Sequence, residues 1–189
     1  LGTFNSTGYM PNSTLDRYTM NLNANVNLTK DLKAFASVNY LSSKTKGRPE
    51  TGYGDVNPVE RFNQWGQRQL DMKVQKDNYI NPDGTQRSWN RTSMDDPTPA
   101  YSNNPYWDRN MNYQNDKRDR YYGNVGLSWQ INSWLRAQGK FNLDNYSFRT
   151  QQRVAVGSAS QSSYQEQVRT NSELNAEFLF LIDKTFAKD

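Results

Sequence analysis

The chain has 189 residues, of which 34% are hydrophobic and 13% aromatic, and its 23 basic and 19 acidic residues leave a net charge of +4. With a mean hydropathy of -1.05 it is poor material for a large dry core, yet it is too aromatic for a chain that stays unfolded. Cys and His are absent, which removes disulfides, thiolate or imidazole metal sites, Ser-His-Asp triads and Cys-His dyads, and so argues against the common hydrolase chemistries.

No run approaches the roughly 18 to 20 consecutive apolar residues of a membrane-spanning helix. A β-barrel strand is different, because it needs only about 9 to 11 residues with apolar side chains on alternate positions. The basic residues are spread along the chain, with clusters no larger than Lys117-Arg118-Asp119-Arg120, which is too diffuse for a nucleic-acid footprint. The chain opens at Leu1 with no initiator Met and no apolar leader, as expected if a signal has been removed or both ends are missing.

In chain order, the first predicted strand lies near 16–29. Tyr18, Met20, Leu22, Ala24, Val26 and Leu28 take every second position, with Thr19, Asn21, Asn23, Asn25 and Asn27 between them. That period of two gives a strand with one apolar face and one amide face. A second strand is predicted near 32–41, with Ala34, Ala36, Val38 and Tyr40 against Lys33, Ser37 and Asn39, and Phe35 as the exception. The short link Lys30-Asp31 makes the two a hairpin.

A long polar connection is expected over 42–118, punctuated by the turn signals Asn57-Pro58, Asn81-Pro82-Asp83-Gly84, Asp96-Pro97 and Asn104-Pro105. Alternation returns near 120–131 and 134–145, around a tight turn at Asn132-Ser133, and again near 168–182 after a second polar stretch, 146–167. Asp183-Lys184-Thr185 reads as a further turn leading into a strand at Phe186. Short turns thus alternate with long connections, the asymmetry of outer-membrane barrels with short periplasmic turns and long extracellular loops. Trp129 and Trp134 near one turn, and Tyr40, Tyr121, Tyr122 and Tyr146 at the opposite strand ends, suit the two membrane interfaces.

The predicted fold is therefore all-β: an antiparallel transmembrane β-barrel segment, part of a larger barrel, because five strands cannot close a wide barrel and bare edges cannot sit in hydrocarbon. A soluble extracellular glycan-binding β-sandwich or adhesin is the alternative, since its strands would alternate equally well with the apolar face turned inward. A client of a secretion or assembly machine is a third reading.

Three stretches resemble the SusC/RagA-like TonB-dependent transporters of Bacteroidetes-type bacteria. They are Pro11-Asn12-Ser13 with Arg17, Asn104-Pro105-Tyr106-Trp107 followed by Arg118 to Gly123, and Asn175-Ala176-Glu177-Phe178-Leu179 with Asp183-Lys184-Thr185-Phe186. The resemblance implies a 22-stranded barrel with a plugged lumen in the bacterial cell outer membrane. It implies import of oligosaccharides, glycans or peptides, a SusD-like surface lipoprotein as partner, and energy from the TonB complex through parts this chain lacks. A transport protein, not an enzyme, is expected, with no cofactor.

Trp65, Trp89, Tyr106 and Trp107 are the candidate substrate-binding residues, because flat rings in polar loops stack on sugar or peptide faces. The competing role for each is packing loop against loop. Asp77, Asp83, Asp95 and Asp96 lack the ordered spacing of a Ca2+ loop and read as solvated turn carboxylates, so no metal is expected.

Overall fold

A computed structural model of the chain describes residues 1–54 and 57–185. The alternating segments pair with their neighbours in sequence order. Strands β1 (Gly2–Thr7), β2 (Thr14–Asn27), β3 (Leu32–Lys46), β4 (Tyr113–Gln130), β5 (Leu135–Val154) and β6 (Ser163–Ile182) form one antiparallel sheet. Three short helices, α1 (Pro58–Trp65), α2 (Met72–Asp77) and α3 (Pro105–Asn110), lie in the connection between β3 and β4. The sheet is open, with β1 and β6 at its edges. The strand predicted to begin at Phe186 lies outside the described residues.

The strands outrun the alternation that announced them. The polar connections accordingly shrink from 42–118 to 47–112 and from 146–167 to 155–162. Ladder hydrogen bonds are made by the backbone whatever the side chains, whereas the period-two signal needs a contrast between faces. Beyond Tyr40 and Tyr121 that contrast fades, because both faces carry Ser, Lys, Arg and Asp while the pairing of Ser42 with Asp119 and of Lys44 with Lys117 continues. Strand β1, Gly-Thr-Phe-Asn-Ser-Thr, has almost no contrast and gave no signal at all.

Directly opposed residues share a face, so register assembles the two surfaces. One face carries Leu22, Val38, Gly123, Leu143 and Leu174 in one cross-strand row and Ala24, Ala36, Val125, Phe141 and Ala176 in the next. The other face carries Asn23, Ser37, Asn124, Asn142 and Asn175. Phe35, the exception on the polar face, stands opposite Gly126, and its ring fills the space a Cβ at Gly126 would need. The missing side chain of one strand is thereby replaced by the aromatic of the next.

The apolar face is not covered. Leu22 and Phe141 are 60% and 58% exposed, Met20 and Leu127 are likewise exposed, and no second sheet is present among the described residues. Among the described residues the buried hydrophobic side chains are Trp107 and Ala155, both at the end of the sheet where the longer connections meet.

Connection lengths follow the ends of the sheet. Residues 28–31 and 131–134 turn at one end, while 8–13, 47–112 and 155–162 run at the other. We call the first the short-turn end and the second the loop end.

Candidate functional site

The loop end is organised by side-chain amides. Asn104 is 0% exposed and caps α3, accepting from the Tyr106 N–H at 2.9 Å. Its Nδ2 donates to the carbonyls of Gln75 and Arg87, and its own N–H donates to Gln86 Oε1. Asn57 does the same for α1, accepting from the Glu60 N–H at 3.2 Å, and Asp71 caps α2. In both Asn-Pro pairs read as turns, the Asn caps a helix and the Pro occupies its first position, where a missing N–H costs nothing. The stretch at Asn81 to Gly84 is a turn as expected, closed by the bridge between Ile80 and Gln86 with Gly84 at a φ of 87°.

Helix α3 ties four pieces of chain together. Arg109 donates from Nε to the Pro11 carbonyl at 3.1 Å and from a terminal nitrogen to the Gly47 carbonyl at 2.6 Å. Asn12 donates back to the Arg109 carbonyl at 3.0 Å. Gly47 has a φ of 59° and approaches the Asn12 carbonyl so closely that no Cβ fits there. Trp107 donates from its indole N–H to Ser158 Oγ at 3.0 Å, reaching the β5–β6 connection, and Asn104 holds the end of α2.

Asp108 is the one strongly perturbed acid of this cluster. Its Oδ1 accepts from Asn103 at 2.7 Å and from Asn112 at 2.8 Å, both of which favour the carboxylate. Burial outweighs them and pushes its carboxyl up to about 7. The same burial lowers Arg109, opposed by the Asp108 charge. Asp83 and Asp96 behave differently: the hydroxyl and then the amide of Thr85 and Thr98 donate to them and hold both below the usual carboxylate range. Among the described residues no group of acids is placed to hold a metal ion.

The predicted ligand-binding aromatics fall into distinct places. Trp107 is 1% exposed and pinned by its bond to Ser158, so its ring has no free face for a ligand. Of the two roles open to it, packing loop against loop is the one this placement serves. Trp89 packs with Phe62, Leu70 and Pro105 around a gap of about 10 Å³, too small for a ligand. Tyr106 lines an open apolar crevice of about 200 Å³ with Met10, Val59, Phe62 and Met72. Trp65 ends α1 with its ring more than half exposed. Tyr106 and Trp65 are thus the two of the four with open surface beside them.

A second, polar cleft of about 160 Å³ lies between Arg48, Asp108, Arg109, Arg153 and Gln165. Nothing in the sequence singled out Asp108, Asn103, Asn112 or Gln86, because the partners that give them meaning are as much as 71 residues away, as in the bond from Gln86 to the Gly157 carbonyl. Two of the stretches that carry the transporter resemblance do meet here, with Pro11 and Asn12 bonded to Arg109 just after Tyr106-Trp107.

A scan of protein-family models finds no match to the chain, and a search of curated proteins finds none either. The functional reading therefore rests on the arrangement of the two faces and of the loop end.

Proposed function

We propose that this chain forms part of the wall and the outer loops of a bacterial outer-membrane, TonB-dependent transporter that imports oligosaccharides, glycans or peptides. One observation carries the reading. The uncovered apolar face is a band of limited height, opposite a face rich in Asn, Gln and charged groups.

On β4 the band runs from Tyr121 to Trp129, about 26 Å along the strand and about 20 Å high at a tilt of about 40°. That is close to the roughly 25 Å height of the apolar band of a transmembrane barrel. Aromatic rings lie at both rims. Tyr40 and Tyr121 stack with centroids 4.7 Å apart at the upper rim, and Trp129 and Phe180 flank Ala137 in one cross-strand row near the short turns. Immediately beyond the upper rim the same face becomes Ser42, Asp119, Lys44 and Lys117. A sandwich core would have no reason to end in a charged row on its inner face.

The open edges fit a larger closed barrel, since β6 offers 20 residues of ladder that hydrocarbon would not tolerate unpaired. The connections at 47–112 and 155–162 then stand outside the cell, where a SusD-like lipoprotein would close over them.

Solvent dependence tests the reading. The intact protein is expected to fractionate with outer membranes and to remain monodisperse only in detergent or lipid. A monodisperse, β-rich protein in plain buffer would overturn the proposal in favour of a soluble glycan-binding sandwich.

A further inference from the structure

On the polar face, one cross-strand row differs from all the others. Pairing places Phe4, Arg17, Ser43, Arg118, Phe148 and Arg169 side by side, one from each of the six strands. The arginines come from alternate strands, so neighbours are about 10 Å apart along the row.

Other arginines near this row on the sheet are neutralised. Arg120 pairs with Asp144, Arg48 with Asp116 and Arg149 with Glu166. Arg17, Arg118 and Arg169 have no carboxylate partner among the described residues. Arg118 instead lies over the Phe148 ring at 4.8 Å and near the Tyr146 ring at 5.6 Å. Stacking occupies the flat face of the guanidinium and leaves its N–H edge free, and that edge is the part that forks onto a carboxylate, sulfate or phosphate. The rings hold Arg118 in place, which lowers the ordering cost of binding.

We propose that this row is a subsite for an acidic oligosaccharide, with Arg118 and Arg169 binding its anionic groups and Phe4 stacking on a sugar ring. The assignment rests on the transporter reading, and in that frame it narrows the cargo from any glycan or peptide to a negatively charged glycan. The row lies about 10 Å along the strands beyond the Tyr40–Tyr121 rim, where the polar face opens toward the loop end. Saccharide is favoured over peptide by the exposed Phe4 ring in the row and by the amides of Asn23 and Asn124 lower on the same face, which suit hydroxyl groups.

The test is calorimetric titration of the intact protein, in whichever solvent keeps it folded, with tetragalacturonate, maltotetraose and a tetraglutamate peptide. Tetragalacturonate is expected to bind at least tenfold more tightly than either other ligand and to weaken as NaCl is raised. Arg118→Gln should weaken it at least tenfold, and Arg118→Lys should do so several-fold because the charge stays but the fork is lost. Arg136→Gln, at the short-turn end of the same face, should leave it unchanged and so controls for folding. Equal binding of maltotetraose, tighter binding of tetraglutamate, or an unchanged affinity in Arg118→Gln would each overturn the assignment. The two readings fail separately. A buffer-soluble protein that binds tetragalacturonate sinks the membrane reading and keeps the subsite, and a detergent-dependent protein that ignores it does the reverse.

Discussion

The short-turn half of the sheet and the loop end are held together by opposite means. The sheet half has backbone ladders, two side-chain faces and no buried hydrophobic residue, so its order depends on what lies against those faces. The loop end has a small interior of its own, built from Trp107, Ala155 and a set of buried amides and charges. One region takes its stability from its surroundings, and the other carries it internally. The contrast is between a region whose faces are left to their surroundings and one that satisfies its buried polar groups one by one.

The contrast predicts that each region can be broken without the other. The largest effect is expected from Trp107→Ala, which empties the interior of the loop end and leaves Ser158 without its indole donor. A loss of about 3–5 kcal/mol of local stability should follow. It would be read as fast proteolysis and hydrogen exchange across 47–112 and 155–162, with strand exchange unchanged. Equal protection in the variant would show that the two regions are one unit.

Next in size is Phe141→Arg, at the middle of the exposed apolar face. In a bilayer a cation at mid-height costs about 2–4 kcal/mol, seen as a lower urea midpoint in lipid vesicles. In water the same change on an exposed strand surface should cost within about 0.5 kcal/mol. A small effect in vesicles would remove hydrocarbon from that face.

The smallest effect concerns Asp108. Its folded carboxyl lies at about 7, above the ordinary 3.8, so between those values the folded state binds more protons than the unfolded one. Its contribution to loop stability is fully present below about pH 4 and is lost as pH rises through about 7. Asp108→Asn keeps the acceptor for Asn103 and Asn112 and has no proton to lose. It should flatten the decline in loop protection between pH 5 and 8, and an identical profile in both proteins would refute the buried acid.

Much of the sheet was legible because two solvents, or a solvent and a void, write themselves into a strand as alternation. Leu22, Val125 and Phe141 announced their face from sequence alone. The outer thirds of β4, β5 and β6 did not, since Lys117, Arg149 and Glu166 on one side match Arg118, Thr150 and Gln167 on the other too closely in polarity. At the loop end, sequence marked the right segment at Asn104 to Trp107 and left open whether Trp107 packs the loops or meets a ligand. Whether a ring in a polar loop faces out or in depends on Ser158, 51 residues away. The arginine row was invisible for the same reason: only register brings Arg17, Arg118 and Arg169 to one height.

Helix α3 has only six residues, yet it grips the 8–13 turn, the exit of β3, the end of α2 and the 155–162 connection. Those four segments therefore share one common attachment, to which the bonds of Gln86 to Gly157 and of Asn112 to Ala155 add further anchors. A disturbance entering at the turn after β1 thus has a bonded route through Asn12, Arg109 and Trp107 to Ser158.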